Sequence, residues 1–577
     1  MVREQSIESF YSRLKESVRE SPSSPLFVFP STSDVDSLCA SKIICHVLES
    51  DCIRYGCYPV SSFKEIHNTI EKKKNPSSDN PSFTALLINW GCHRDLRREL
   101  NFPSSASVFV VDSHRPIHLQ NLSDRNPRVI VLYTKDDEQQ ADLAYDFDVS
   151  ALANASDLNS DDDEVDSDSD GSDDDDDDDD DDDGRRKRQR ISAENESNPV
   201  KLYKKLKREY YYMGTFHGKP SGCLMYDLSH SLRKNDNELL WLACVALTDQ
   251  LVHERLTDER YQSAAMELEQ HINSSKFNIP GGCSRIAYED APKLMLLQEW
   301  NLYDSLMCSS YVATKLKTWS GNGLKRMNFL LGRMGFPKAE CRQKFPFMSV
   351  EIKRRMKEMF RQFFPEFGLT DFYYRGFTLS DGYGSKLCAA DVVYGASALL
   401  ESSSGSNQFS TASDALSAAH SEKLETGMRQ AIEVQRAIIG QGGSAVTRKG
   451  SIRSGGKFRW LKVDDTGADS KLLCHPQALT KFGCFVMEAL KEKGARMKPL
   501  MCACHVEGKV KGKMLIVGVC GKPRIGAVKG NAFGIAFRAA AEETGAEYFH
   551  EMFESSWIVL DSGVVNSFVV RLNQILV

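Results

Sequence analysis

The chain has 577 residues, too many for one hydrophobic core, so two or three domains are expected. Apolar residues make up 41%, which excludes a chain disordered throughout; no run of about 18 uninterrupted apolar residues and no apolar N-terminal segment occurs, so the expectation is a soluble protein, neither membrane-spanning nor secreted. The net charge of −7 hides a segregation: residues 157–183 carry nineteen acids and no base, the remainder sums to +12, and it still sums to +7 without the five bases of 185–190, a mild basicity that permits nucleic-acid contact without demanding it.

From the N-terminus to about residue 148, apolar runs alternate with helix-like stretches: LFVF (26–29), SLCASKIICHVLESDC (37–52), TALLINW (84–90), ASVFVVDSH (106–114) and RVIVLY (128–133). In the second of these, Leu38, Ile43, Ile44, Val47 and Leu48 recur at helical spacing. Strands alternating with helices predict a mainly parallel sheet covered on both faces, with ligands beyond the carboxyl ends of the strands. Asp34, Asp36, Asn89, Asp112 and His114 all fall at such ends.

Residues 150–198 break the pattern. Eleven consecutive aspartates, Asp173 to Asp183, repel one another and bury no apolar surface, so a disordered insertion is expected. Within it, Ser160, Ser167, Ser169 and Ser172 are candidate phosphosites among acids, and RRKRQR supplies a candidate nuclear-localisation patch of Arg185, Arg186, Lys187, Arg188 and Arg190. A solvated spacer is the plainer alternative.

From about 200 to 395 the apolar spacing predicts mostly helix, including SVEIKRRMKEMFRQFFPEF (349–367), whose apolar and basic residues suit a partner surface or an ordinary amphipathic helix. SSSGSNQFSTAS (402–413) is expected to be a loop. A last α/β unit follows, with strands expected at CFVMEAL (484–490), MCACHVEG (501–508) and KMLIVGVCG (513–521), then a glycine-spaced segment leading to a helix. Sixteen scattered cysteines fit reduced thiols, and Cys502, Cys504 and His505 lack the second ligand couple of a zinc site, so MCACH is expected to be a buried strand.

The candidate chemistry begins at Asp34-x-Asp36. Two-metal hydrolysis needs cations about 3.5–4 Å apart with a bridging anionic ligand, and these acids supply two candidate ligands. Taken alone, the pair suits helix capping better than metal binding. In order, Asp34-x-Asp36, INWG (88–91), VVDSHRP (110–116) and ALTDQ (246–250) resemble the motifs of the DHH phosphoesterase superfamily, which includes the RecJ exonucleases. The resemblance matches Asp34 and Asp36 to its first motif, Asp112 and His114 to its third and Asp249 to its fourth. It also implies three lost ligand positions: Thr32 for a leading His or Asp, Asn89 for the bridging carboxylate and Ser113 for a histidine. Neutral Asn89 does not hold two cations together as a carboxylate does, which leaves no catalytic residue and room for at most one loosely held Mg²⁺ or Mn²⁺.

Longer blocks, among them FVFPSTSDVDSLCASKI, VFVVDSHRPIHLQN, YYYMGTFHGKPSGCLMYDLSH, LLWLACVALTDQLVHERLT and NAFGIAFRAAAEETGA, resemble the eukaryotic cell division cycle protein 45 family across nearly the whole chain. That resemblance implies an α/β protein with a DHH-like parallel-sheet domain (1–149, completed by 199–300), an all-helical interdomain insertion (301–395) and a small DHHA1-like α/β domain (396–577). It implies a nuclear, non-catalytic DNA replication factor without a cofactor, a scaffold joining the minichromosome-maintenance hexamer and the GINS complex in the replicative helicase. Origin chromatin, DNA polymerase epsilon and initiation factors are further implied partners. For single-stranded DNA the candidate contacts are His114, Arg115, Lys522, Arg524 and Lys529. An active single-strand exonuclease and a chromatin-binding protein using its acidic tract are the competing expectations.

Overall fold

The computed structural model describes residues 3–21, 24–73, 82–103, 105–155, 199–275, 284–380, 386–402, 407–417, 420–464, 467–506, 512–521, 530–550 and 556–576. Its first unit is a six-stranded sheet in the order β1-β7-β5-β4-β2-β3, formed by β1 (Arg3–Glu4), β2 (Leu26–Pro30), β3 (Tyr55–Cys57), β4 (Thr84–Ile88), β5 (Ser107–Val111) and β7 (Val129–Leu132). Every pairing in it is parallel. The apolar runs that predicted strands are these strands, and alternate residues serve two cores. Val28, Leu86, Ile88 and Phe109 face one core with the Val35–Ser50, Ser221–Ser231 and Asn237–Val252 helices. Phe27, Phe29, Leu87 and Val110 face the other, with Phe63, Leu96, Tyr203 and Tyr210. Burial on both faces is why these strands read as unbroken apolar runs. Beside the sheet, β6 (His114–Arg115) pairs antiparallel with β8 (Phe216–His217).

The middle of the chain differs from the all-helical expectation. β9 (Arg285–Pro292) and β10 (Tyr373–Ser380) pair antiparallel over eight residues, and β11 (Leu387–Cys388) adds a third strand. Tyr, Phe and Thr in YYRGFTLS favour a pleated surface, and the pairing joins segments some ninety residues apart. Between β9 and β10 lies a helical head with its own core of Leu302, Leu306, Met327, Leu330, Phe360 and Phe364. The expected loop at 402–413 is also corrected in part: Gln408–Ala415 is a helix that buries Ala412 and Ala415.

The C-terminal unit is a mixed sheet in the order β12-β13-β14-β15-β17-β16, made of β12 (Ile452–Ser454), β13 (Arg459–Lys462), β14 (Leu500–His505), β15 (Lys513–Val519), β16 (Tyr548–Phe549) and β17 (Trp557–Asp561). MCACH is the buried strand expected, with Cys502 and Cys504 facing one core and Met501 and Ala503 the other. CFVMEAL, expected as a strand, lies in the Pro476–Lys491 helix, whose Phe482, Phe485, Val486 and Ala489 bury one stripe. The 27-residue Ser421–Thr447 helix ties the halves together. Its Leu424, Met428 and Ile432 belong to the first unit's core, and its Ala437, Ile438 and Val446 to the C-terminal one.

Candidate functional site

The chain leaves β2 at Pro30, and Asp34 takes an extended backbone as the N-cap of the Val35–Ser50 helix, accepting the Ser37 N–H at 2.5 Å. Asp36, in the first turn, points away from its own helix. It accepts the backbone N–H groups of Ser221 (2.9 Å) and Gly222 (2.7 Å), the leading donors at the start of the Ser221–Ser231 helix. That helix begins after Pro220, which has no capping side chain, so Asp36 caps it from 185 residues away. Gly222 makes the approach possible: a Cβ there would stand 2.5 Å from Ala246 Cβ and 3.2 Å from Asp36 Oδ1.

Between the two acids sits Asn89, fully buried in a left-handed turn (φ 51°) after β4. Its Nδ2 donates to Asp36 Oδ2 at 2.9 Å and to Asp34 Oδ1 at 3.3 Å. Its Oδ1 accepts the Ser113 N–H at 3.0 Å and the Ser221 hydroxyl at 2.5 Å. A backbone N–H only donates, so Ser113 fixes which way the amide faces: oxygen toward Ser113, nitrogen toward the carboxylates.

Burial, reinforced by the charge of Asp34, pushes Asp36 up to about 7, against the opposing hydrogen bonds from Asn89, Gly222 and Ser221. Burial raises Asp34 as well, with Asp249 adding to the shift and Arg255 opposing it; its Oδ2 has no hydrogen-bond partner. The other two acids go the opposite way. Burial alone would raise Asp112, but His114 Nδ1 at 2.6 Å and the His114 N–H at 2.9 Å hold it below the usual carboxylate range. Asp249, equally buried, is held low by His253 Nδ1 at 3.0 Å and Arg255 Nη1 at 3.1 Å.

Asp34, Asp36, Asn89 and Ser113 therefore form one network, while Asp112 with His114, and Asp249 with Arg255, form separate pairs. Thr32 stands outside them, its N–H and hydroxyl directed at the Val60 carbonyl at 3.1 and 3.4 Å. A binuclear centre needs an anionic acceptor between its ions; here an NH₂ donor occupies that place. These residues do not fit a pair of divalent cations. Among the described residues, no cluster of three or more His, Cys, Asp or Glu is disposed to hold a metal ion.

The DNA-contact candidates divide. Arg115 is buried, its Nε and Nη2 on Asp137 Oδ1 at 3.0 and 2.6 Å and its Nη1 on the carbonyls of Asp112 and His114. His114 is buried against His217, ring centroids 4.7 Å apart. Inward partners thus occupy the Arg115 cation. Lys522, Arg524 and Lys529 lie outside the described residues, as do Arg185, Arg186, Lys187, Arg188, Arg190 and the serines of the acidic tract.

Against this site the C-terminal unit is sealed by backbone. Thr215 and Asn531 exchange two N–H to carbonyl bonds of 3.0 and 2.7 Å, and any side chain at Gly214 or Gly530 would strike the opposing main chain. Arg94 Nη2 donates to the His550 carbonyl at 2.6 Å, and the Gln477 amide donates to the Ser33 carbonyl. Beside the seam, His217, His253, Arg255 and Asn531 line a cavity of about 70 Å³.

Sequence reasoning missed Ser221, Gly222, His253, Arg255 and Asp137. Only the last turn around Asp249 carried a local signal, His253 four residues on, one helical turn away.

The CDC45 family pattern matches residues 26–575. The chain is 30% identical over 553 residues to the cell division control protein 45 homolog of Mus musculus, covering 92% of this chain and 93% of that one. It is 30% identical over 619 residues to the homolog of Schizosaccharomyces pombe, covering 95% and 96%. The crystal structure of CDC45 from Entamoeba histolytica superposes with a TM-score of 0.70 at 18% identity, over 99% of both chains. With the family pattern spanning both sheets and the head between them, the chain belongs to the CDC45 family.

Proposed function

We propose that this chain is a non-catalytic, nuclear subunit of the eukaryotic replicative helicase, bracing the minichromosome-maintenance hexamer and the GINS complex during DNA replication. The observation that carries the non-catalytic part is the Asn89 amide: it donates to both acids that would otherwise share metal ions, and Ser113 holds it there. In this reading the fold is that of a RecJ-type phosphoesterase, with 1–149 and 199–300 as the DHH-like domain, 301–395 as the interdomain insertion and 396–577 as the DHHA1-like domain. The segment between the Val149–Asn154 helix and residue 199 then carries the nuclear-localisation patch.

Family membership supports the partners, and charge supports the place. Residues 321–363 carry eleven Lys and Arg against three Glu. Phe347 is 77% exposed, Phe329 60% and Val350 59%. An exposed aromatic among cations suits an acidic, apolar-bordered surface on the hexamer. Origin chromatin, single-stranded DNA, polymerase epsilon and initiation factors are secondary contacts in the same reading, with Lys522, Arg524 and Lys529 among the DNA candidates.

One purified sample tests the proposal. It should carry no stoichiometric Mg²⁺ or Mn²⁺, release no nucleotide from single-stranded DNA in Mn²⁺, and confer ATP-dependent unwinding on the hexamer when GINS is added. Mn²⁺-dependent nucleotide release abolished by Asp34→Ala would overturn it.

A further inference from the structure

Two cysteines of the first unit meet at a sheet edge. β3 is the edge strand, parallel to β2 with Cys57 opposite Val28. Val28 belongs to the core beneath the Val35–Ser50 helix, and residues opposite one another in a sheet point to the same face. Cys57 and, two residues earlier, Tyr55 therefore face that helix. The Tyr55 hydroxyl donates to Glu49 Oε1 at 2.5 Å, which sets the helix and the strand in register.

The helix connects two parallel strands, so it runs antiparallel to both. Four residues back from Glu49, on the same helix face and about 6 Å along the axis, is Cys45. Two residues on from Tyr55, about 6.6 Å along the strand, is Cys57. The two steps match, so Cys45 comes to lie opposite Cys57 where the helix packs on the edge strand. Cys57 is exposed and Cys45 half-buried, so a small oxidant reaches the pair. The neighbouring Cys57 thiol holds the Cys45 thiol below its ordinary range, against burial and with help from Tyr55, and this enlarges its reactive thiolate fraction.

We propose that Cys45 and Cys57 form a reversible redox couple, which peroxide closes to a disulfide pinning the edge strand β3 to the Val35–Ser50 helix. The Cys45 thiolate attacks one peroxide oxygen, the O–O bond breaks, and a sulfenic acid and the first water result. The Cys57 sulfur then attacks the Cys45 sulfur and displaces the hydroxyl as a second water. The two thiols lose two hydrogens and two electrons; the peroxide is reduced to two waters.

The full chain, reduced and desalted, is treated with hydrogen peroxide, blocked with N-ethylmaleimide and mapped by mass without reductant. The expected result is one intramolecular Cys45–Cys57 peptide link that dithiothreitol removes and that Cys52→Ser leaves intact. In Cys57→Ser, Cys45 should instead be trapped as sulfenic acid by dimedone. A link from either residue to the exposed Cys52, a link between two chains, or free thiols at both positions under peroxide that oxidises Cys52 would each overturn the assignment.

Discussion

The acid cluster at the strand ends and the helical head of residues 321–363 handle charge in opposite ways. In the first, Asp34, Asp36, Asp112 and Asp249 are all buried, and donors of the same chain engage each of them. In the second, eleven cations and the exposed Phe347 stay at the surface. Buried polar groups must find partners internally, and once they have, little capacity remains for a ligand. The acids at the strand ends are thus part of the frame, and the groups still open to a partner lie elsewhere.

Asn89→Asp gives the sharpest break of that contrast. The new carboxylate keeps the acceptor for Ser113 and Ser221 but sets a third anionic oxygen against Asp34 and Asp36. An uncompensated buried charge costs about 3–5 kcal/mol, so the urea midpoint at pH 8 should fall accordingly. Millimolar Mn²⁺ should restore part of the loss in the variant and none in the parent. An unchanged midpoint would mean that the amide does not tie the two acids together.

A smaller effect is expected from pH. Asp36 stands at about 7 in the folded chain, above the ordinary 3.8. The folded state therefore binds more proton than the unfolded one between those values. Its stabilising share is full below about 4 and is lost as pH rises through 7. Asp36→Asn removes this titration, so from pH 5 to 7 the parent should lose about 2 kcal/mol relative to the variant. Asp112 and Asp249, held low, contribute in the reverse direction: their share is present above the unfolded carboxylate value and is lost on acidification through the lower folded one. If the parent instead gained stability relative to the variant over that interval, the network at Asp36 would be wrongly drawn.

Much of this contrast was legible in the chain. Doubly buried parallel strands announce themselves as unbroken apolar runs, and acids at their ends mark where a ligand would sit. Asn89, where the resemblance implies a carboxylate, was visible; what its amide does was not, because its orientation depends on the Ser113 N–H of a neighbouring strand end and on the Ser221 hydroxyl far along the chain. CFVMEAL was misread because a short stretch of six apolar residues around Glu488 suits a buried strand and a buried helix alike, and only the flanking residues that extend it to Pro476–Lys491 decide. The β9–β10 pair escaped because its register joins distant segments. Nothing in the local spacing of Arg115 foretold Asp137 as its partner.

The mildest change to the folded chain falls on the open side of the comparison. Phe347 is mostly solvent-exposed, so Phe347→Ala removes little buried surface and should move stability by no more than about 0.5 kcal/mol. If the head is the docking face, the same substitution should weaken capture of the minichromosome-maintenance hexamer about tenfold, the scale of a moderate aromatic anchor at an interface. Arg354→Glu, on the same head, should slow association and flatten its loss with salt, because steering by opposite charge acts mainly on the encounter and the variant has less attraction for salt to screen. Titrating the hexamer and GINS separately against both variants separates the partners. Unaltered capture of the hexamer by both would remove the head from the interface and return the search for a docking face to the surfaces around the two sheets.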